Sequence, residues 1–109
     1  MRVFLATVAG CMLATTAFGA HAKALSQNDR HTCGWGAQIA AEAQQAKLSG
    51  VTLYATRKKL QVRRFAKPWM RMTALGITEQ TYNSRSQLKP PAIKQTYYEQ
   101  CVQHVVAKR

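Results

Sequence analysis

Cys33 and Cys101 stand 68 residues apart in a chain of 109, close to the two ends of everything that follows an N-terminal apolar stretch. If they pair, the ends of a small domain are tied together and every element between them must fit within one closed loop. The third cysteine, Cys11, lies inside the apolar stretch. Disulfides persist in oxidising compartments and are rare in the cytosol, so the N-terminus decides how the cysteines are read.

Met1-Arg2 supplies a positive start, Val3 to Ala20 carries no charge, and Ala20-His21-Ala22 places small residues where a signal peptidase reads them. Thr7, Gly10, Thr15, Thr16 and Gly19 dilute the stretch, against the roughly 20 strongly apolar residues of a permanent membrane span. Residues 1–22 are therefore read as a signal peptide that is removed. Residues 23–109 remain as a single helical domain, periplasmic or secreted. A competing reading takes Val8-Ala9-Gly10-Cys11 as a lipobox with Cys11 lipidated, but the apolar run before it is short and an apolar segment, not a polar tether, follows. No second hydrophobic segment lies downstream, so no transmembrane anchor is expected after processing. Cleavage leaves Cys33 with Cys101 as the one intramolecular pairing. Chain entropy assigns a loop of that length about 4 kcal/mol, which rivals the net stability of a small domain.

Hydrophobic periodicity predicts an all-α fold, a small bundle of three to five helices with the disulfide joining the first and last. A polar lead of Ser26, Gln27, Asn28 and Asp29 precedes a first helix over Cys33–Leu48, stopped by Ser49-Gly50. Gln38, Glu42 and Gln45 fall in one wet arc, with Cys33, Ala37, Ala40 and Leu48 opposite and Trp35, Ile39 and Ala46 on the flank. A second helix is expected over Leu53–Ala66, ended by the restriction that Pro68 places on Lys67. A short third follows over Trp69–Leu75, closed by Gly76, with another helical turn near Tyr82 and a loop over Asn83–Lys89. Pro90-Pro91 opens the last helix, in which Ile93, Tyr97, Cys101 and Val105 recur every fourth residue and Tyr98 and Val102 widen the stripe.

The leader, Cys33 followed by an alanine-rich helix ending Lys-Leu-Ser-Gly, the basic middle, Tyr82, the prolines and Tyr97-x-x-x-Cys101 together resemble small exported proteobacterial and prophage-borne helical proteins of uncharacterised function. In architecture alone the chain is similar to the HdeA-like periplasmic acid chaperones, which are small, helical and held by one disulfide. Neither resemblance supplies a catalytic residue; the second implies a periplasmic chaperone as an alternative function.

The chain carries sixteen Lys and Arg against four Asp and Glu, a formal charge of +12. Between Glu42 and Glu79 there is no acid, yet Lys47, Arg57, Lys58, Lys59, Arg63, Arg64, Lys67 and Arg71 fall there, interleaved with Leu60, Val62, Phe65, Trp69, Met70 and Met72. An amphipathic basic segment of this kind suits an anionic envelope lipid or lipopolysaccharide, or an acidic protein. The candidate site is Arg57, Lys58, Lys59, Arg63, Arg64, Lys67, Trp69 and Arg71. A nucleic acid, with Trp69 or Phe65 stacking on bases, fits the composition but not export. The ordinary alternative is a solvated basic face over an apolar core.

The length excludes a two-domain cofactor enzyme, a long repeat array and a large transporter. Asp29, Glu42, Glu79 and Glu99 are scattered, and no phosphate loop, nucleophile elbow or H-E-x-x-H metal helix is present. The reading is non-enzymatic, with no cofactor and no metal. The alternative is a basic secreted ribonuclease-like enzyme, because His31 precedes Cys33 by two residues and His104 follows Cys101 by three, so a bridge would draw the imidazoles into one neighbourhood for general acid and base catalysis. The export reading makes a direct statement about mass. Protein recovered from outside the cytoplasm should begin at Lys23 and react with no thiol reagent until reduced; an intact N-terminus or two free thiols would refute it.

Overall fold

The computed structural model describes residues 25–108, and among them four helices and no strand occur: α1 (Gln27–Leu48), α2 (Leu53–Val62), α3 (Pro68–Asn83) and α4 (Pro90–Ala107). The leader over residues 1–22, the alternative lipidation at Cys11 and the new N-terminus at Lys23 lie outside the described residues. The fold is all-α, and Cys33 on α1 is bonded to Cys101 on α4 with their Cα atoms 5.6 Å apart.

Local chemistry sets most helix ends. Ser26 caps α1 with a reciprocal capping box: the Asp29 backbone N–H donates to Ser26 Oγ at 3.0 Å, and the Ser26 N–H donates to the Asp29 carboxylate at 3.4 Å. The first helix thus begins at Gln27, six residues before Cys33, and His31 lies within it and not in a lead-in. At its other end Gly50 takes φ +83°, the left-handed conformation in which glycine escapes the Cβ clash. That geometry lets the Val51 N–H reach Ala46 O at 3.0 Å and the Gly50 N–H reach Lys47 O at 3.1 Å, which satisfies carbonyls a helix end otherwise leaves open. Thr52 then caps α2 through the Ala55 N–H.

Two further expected boundaries move. The second helix stops at Val62, not Ala66, because Arg63 is already extended (ψ 140°) and Phe65 turns inward to meet Trp35 edge-on at 6.4 Å. Gly76 does not close the third helix, which runs on to Asn83 and absorbs the separate turn expected near Tyr82. A mid-helix glycine costs about 1 kcal/mol relative to alanine; here burial of Ala74, Ile77 and Thr78 on the same helix outweighs it.

α1 is the hub, with α3 and α4 packed along it and α2 seated chiefly on α3. Ile39, Ala40, Leu60, Ala74 and Ile77 form the core, flanked by the half-buried Trp35, Phe65, Leu75, Ile93 and Tyr97. Small residues on the inner face of α1 bring α4 close. Gly36 is the tightest point, since a Cβ there would lie 2.8 Å from Cε1 of Tyr97. Burial raises the Tyr97 phenol above its ordinary value of 10.0. The two helix-1 glycines should separate cleanly in denaturant unfolding. Gly36→Ala should cost about 1–3 kcal/mol by overpacking, whereas Gly34→Ala, where nothing lies within 4 Å of the new methyl, should stabilise by up to about 1 kcal/mol. Equal effects would contradict the close Tyr97 approach.

Candidate functional site

The basic residues singled out in the sequence divide into an engaged set and a free set. Arg57 on α2 pairs with Glu79 on α3, and Arg63 Nη1 meets Glu42 Oε1 on α1 at 2.8 Å. Both pairs are partly exposed, so each contributes little to stability. Their effect is geometric: they join α2 to its two neighbours and cancel two of the charges expected in the patch. Arg71 on α3 donates from Nη2 to the Arg63 carbonyl at 3.0 Å, which supplies a partner where α2 unwinds. The guanidiniums of Arg63 and Arg71 also lie 5.4 and 5.6 Å from the centroid of the Phe65 ring, within cation–π range.

The free set lies around the corner where α2 passes into α3. Among the described residues Lys58, Lys59, Arg64 and Lys67 make no ion pair, and all four are exposed. Lys58 Nζ stands 5.2 Å from the centroid of the Tyr54 ring. Trp69 packs edge-on against Trp35 at 5.8 Å, yet it remains 47% exposed. Val62 and Met72, at 83% and 72% exposed, complete an apolar edge that the core does not absorb. Phe65 and Trp35 underlie this corner and fix it to α1. The corner thus carries four exposed cations on the same segment as three exposed apolar side chains, Val62, Trp69 and Met72. Val62 and Met72 entered the sequence reading only as members of the amphipathic stretch. Val62 is exposed where α2 ends, and Met72 is exposed on α3.

Lys47 has a different role. Its Nζ donates to the carbonyls of Thr81, Ser84 and Ser86 at 3.2, 3.1 and 3.0 Å, capping the C-terminal end of α3 from outside. One turn earlier on α1, the fully buried Gln44 donates from Nε2 to Ser86 O at 3.1 Å and Leu88 O at 2.7 Å. Together these side chains hold residues 84–89, a connection with no regular structure to satisfy its own carbonyls. Sequence reading passed over Gln44 because of its type, although its helical phase puts it with Cys33, Ala37 and Ala40 on the inner arc. On the other side of the connection Tyr82 donates to Val51 O at 2.8 Å, so the 2.9 Å contact between Tyr82 and Thr56 uses the threonine hydroxyl as donor.

His104 lines a groove between α1, α3 and α4, whereas His31, exposed on α1, is not among the residues that line it. Among the described residues there is no group of three His, Cys, Asp or Glu side chains placed to hold a metal ion, and no helix is long and apolar enough to cross a membrane. Comparison with known proteins finds no family model, curated protein or solved structure that matches this chain. The division of the lysines is open to direct measurement. Lys47→Met should lower unfolding stability by about 1–3 kcal/mol by removing the ammonium that three carbonyls share, Ser86 O keeping Gln44 and Thr81 O keeping the Ser84 N–H; Lys58→Met should change it by less than about 0.5 kcal/mol. Indistinguishable variants would remove the structural role given to Lys47.

Proposed function

We propose that this chain is an exported, non-enzymatic protein that docks on an anionic envelope membrane through the corner between α2 and α3. The observation that carries the reading is the coincidence of unpaired cations with exposed apolar side chains: Lys58, Lys59, Arg64 and Lys67 beside Val62, Trp69 and Met72. Phosphate-rich lipid headgroups meet the cations. The interfacial zone beneath them takes the valine, the methionine and the outer edge of the indole. A polyphosphate strand would use the charges but leave Val62 and Met72 in water. The disulfide favours the same setting, since an oxidising compartment is where such a bond persists. Arg57, Arg63 and Arg71 act in this reading as supports that hold the corner in shape.

Cosedimentation with vesicles tests it. The disulfide-bonded protein should bind vesicles containing phosphatidylglycerol, bind pure phosphatidylcholine far more weakly, and release as salt is raised. With each surface cation worth about 1 kcal/mol, Arg64→Ala combined with Lys67→Ala should weaken binding roughly 30-fold. Val62→Ser combined with Met72→Ser should weaken it at every salt concentration. Undiminished binding in the charge variant overturns the proposal, as does a stable complex with an acidic envelope protein in the absence of any vesicle binding.

A further inference from the structure

Away from this corner, the end of α3, residues 84–89 and α4 enclose with α1 a groove of about 800 Å³, within the range of about 300–1,000 Å³ usual for small-molecule sites. Its apolar lining includes Ala40, Ile93 and Tyr97, and its polar lining includes Gln80, Thr96 and Gln100. No Lys, Arg, Asp or Glu side chain lines it, a local exception in a chain of formal charge +12. The groove therefore offers no carboxylate for a cation; the Lys47 ammonium beside it is already taken up by the carbonyls of Thr81, Ser84 and Ser86, and His104 supplies an imidazole to the lining.

Gln44 lines the same groove and is fully buried. Its two donations from Nε2 to Ser86 O and Leu88 O fix the amide orientation, so Oε1 is the acceptor end, and that atom is buried with no protein donor. A buried acceptor left in this way calls for an N–H or O–H from another molecule. Oε1 is closed off from bulk solvent, so a ligand's donor reaches it only with local rearrangement of the residues around it.

We propose that this groove binds a neutral, hydroxyl-rich molecule of one or two sugar rings. Sugars combine an apolar C–H face, suited to Tyr97 and Ile93, with closely spaced donors and acceptors, suited to side-chain amides that offer both. A purely aliphatic ligand would bury the amides of Gln80 and Gln100 without partners. The donor required by Gln44 Oε1 is a hydroxyl or an acetamido N–H. None of these residues belongs to the corner between α2 and α3, so this proposal and membrane docking stand or fall separately.

Isotope-edited NMR titration of the disulfide-bonded protein tests it, with diacetylchitobiose and cellobiose as probes and inorganic phosphate for comparison. Either sugar should produce saturable shifts at the Gln44 and Gln100 side-chain amides and at the backbone amides of residues 86–88, and phosphate should produce none there. Gln44→Leu should abolish the sugar response, but it also releases the connection and can prevent folding. The exposed pair Thr96→Val and Gln100→Ala therefore serves as the second variant, and it should weaken binding about tenfold at unchanged thermal stability. The proposal is overturned if neither sugar gives a saturable shift, if the shifts fall only at the corner between α2 and α3, or if the rim variant binds as the wild type does.

Discussion

The bond between Cys33 and Cys101 is the constraint on which the described fold most depends. α4 has no fully buried residue; its stripe of Ile93, Tyr97, Cys101 and Val105 keeps partial access to solvent. Without a fully buried anchor, α4 relies on the bond to fix its place on α1 more than a core helix would. The covalent link converts its docking from an encounter between distant chain segments into a local event, with the loop-closure cost already met in the unfolded chain. The adjacent contact of Gly36 with Tyr97 then sets how closely the two helices lie.

α1 carries a second organising element at its C-terminal end. Gln44 and Lys47 satisfy four donor requirements of the 84–89 connection and the end of α3 with side-chain N–H groups, five hydrogen bonds in all among the described residues. Long polar side chains reaching from a helix to loop carbonyls replace the backbone pairing that an irregular segment lacks. The connection is in this way drawn against the groove that α1 shares with α4. One helix thus positions both ends of the polar surface: through Trp35 and Glu42 it steadies the corner between α2 and α3, and through Gln44 it shapes the groove.

The excess of positive charge is sorted by a scarcity of acids. Glu42 and Glu79 each take an arginine, Asp29 serves its helix cap, and Glu99 accepts from Gln95. The exposed lysines and Arg64 at the corner are left without a carboxylate among the described residues. Arginine occupies the bonded positions at Arg57, Arg63 and Arg71, where a planar, weakly hydrated head can pair or stack. Lysine holds most of the free ones, as suits a well-hydrated charge on a flexible stem.

The helical class, the wet arc of Gln38, Glu42 and Gln45, the stop at Gly50 and the start at Pro90 were legible in the sequence, because each follows from short-range sterics or from helical phase. So was the pairing of Cys33 with Cys101, which the reading of Cys11 as part of a leader predicted. The end of α2 was not, because Val62 yields to Phe65 packing on Trp35, a contact between residues 30 apart in the chain. Passage of α3 through Gly76 was hidden for the same reason, since burial outweighs a weak local preference. Composition alone determined that the middle of this protein is strongly basic. Which cations are tied to acids, which remain free beside Val62 and Met72, and that Gln44 points its amide into the interior were decided only when the helices met, because pairing and burial are properties of distance in space and not of order along the chain.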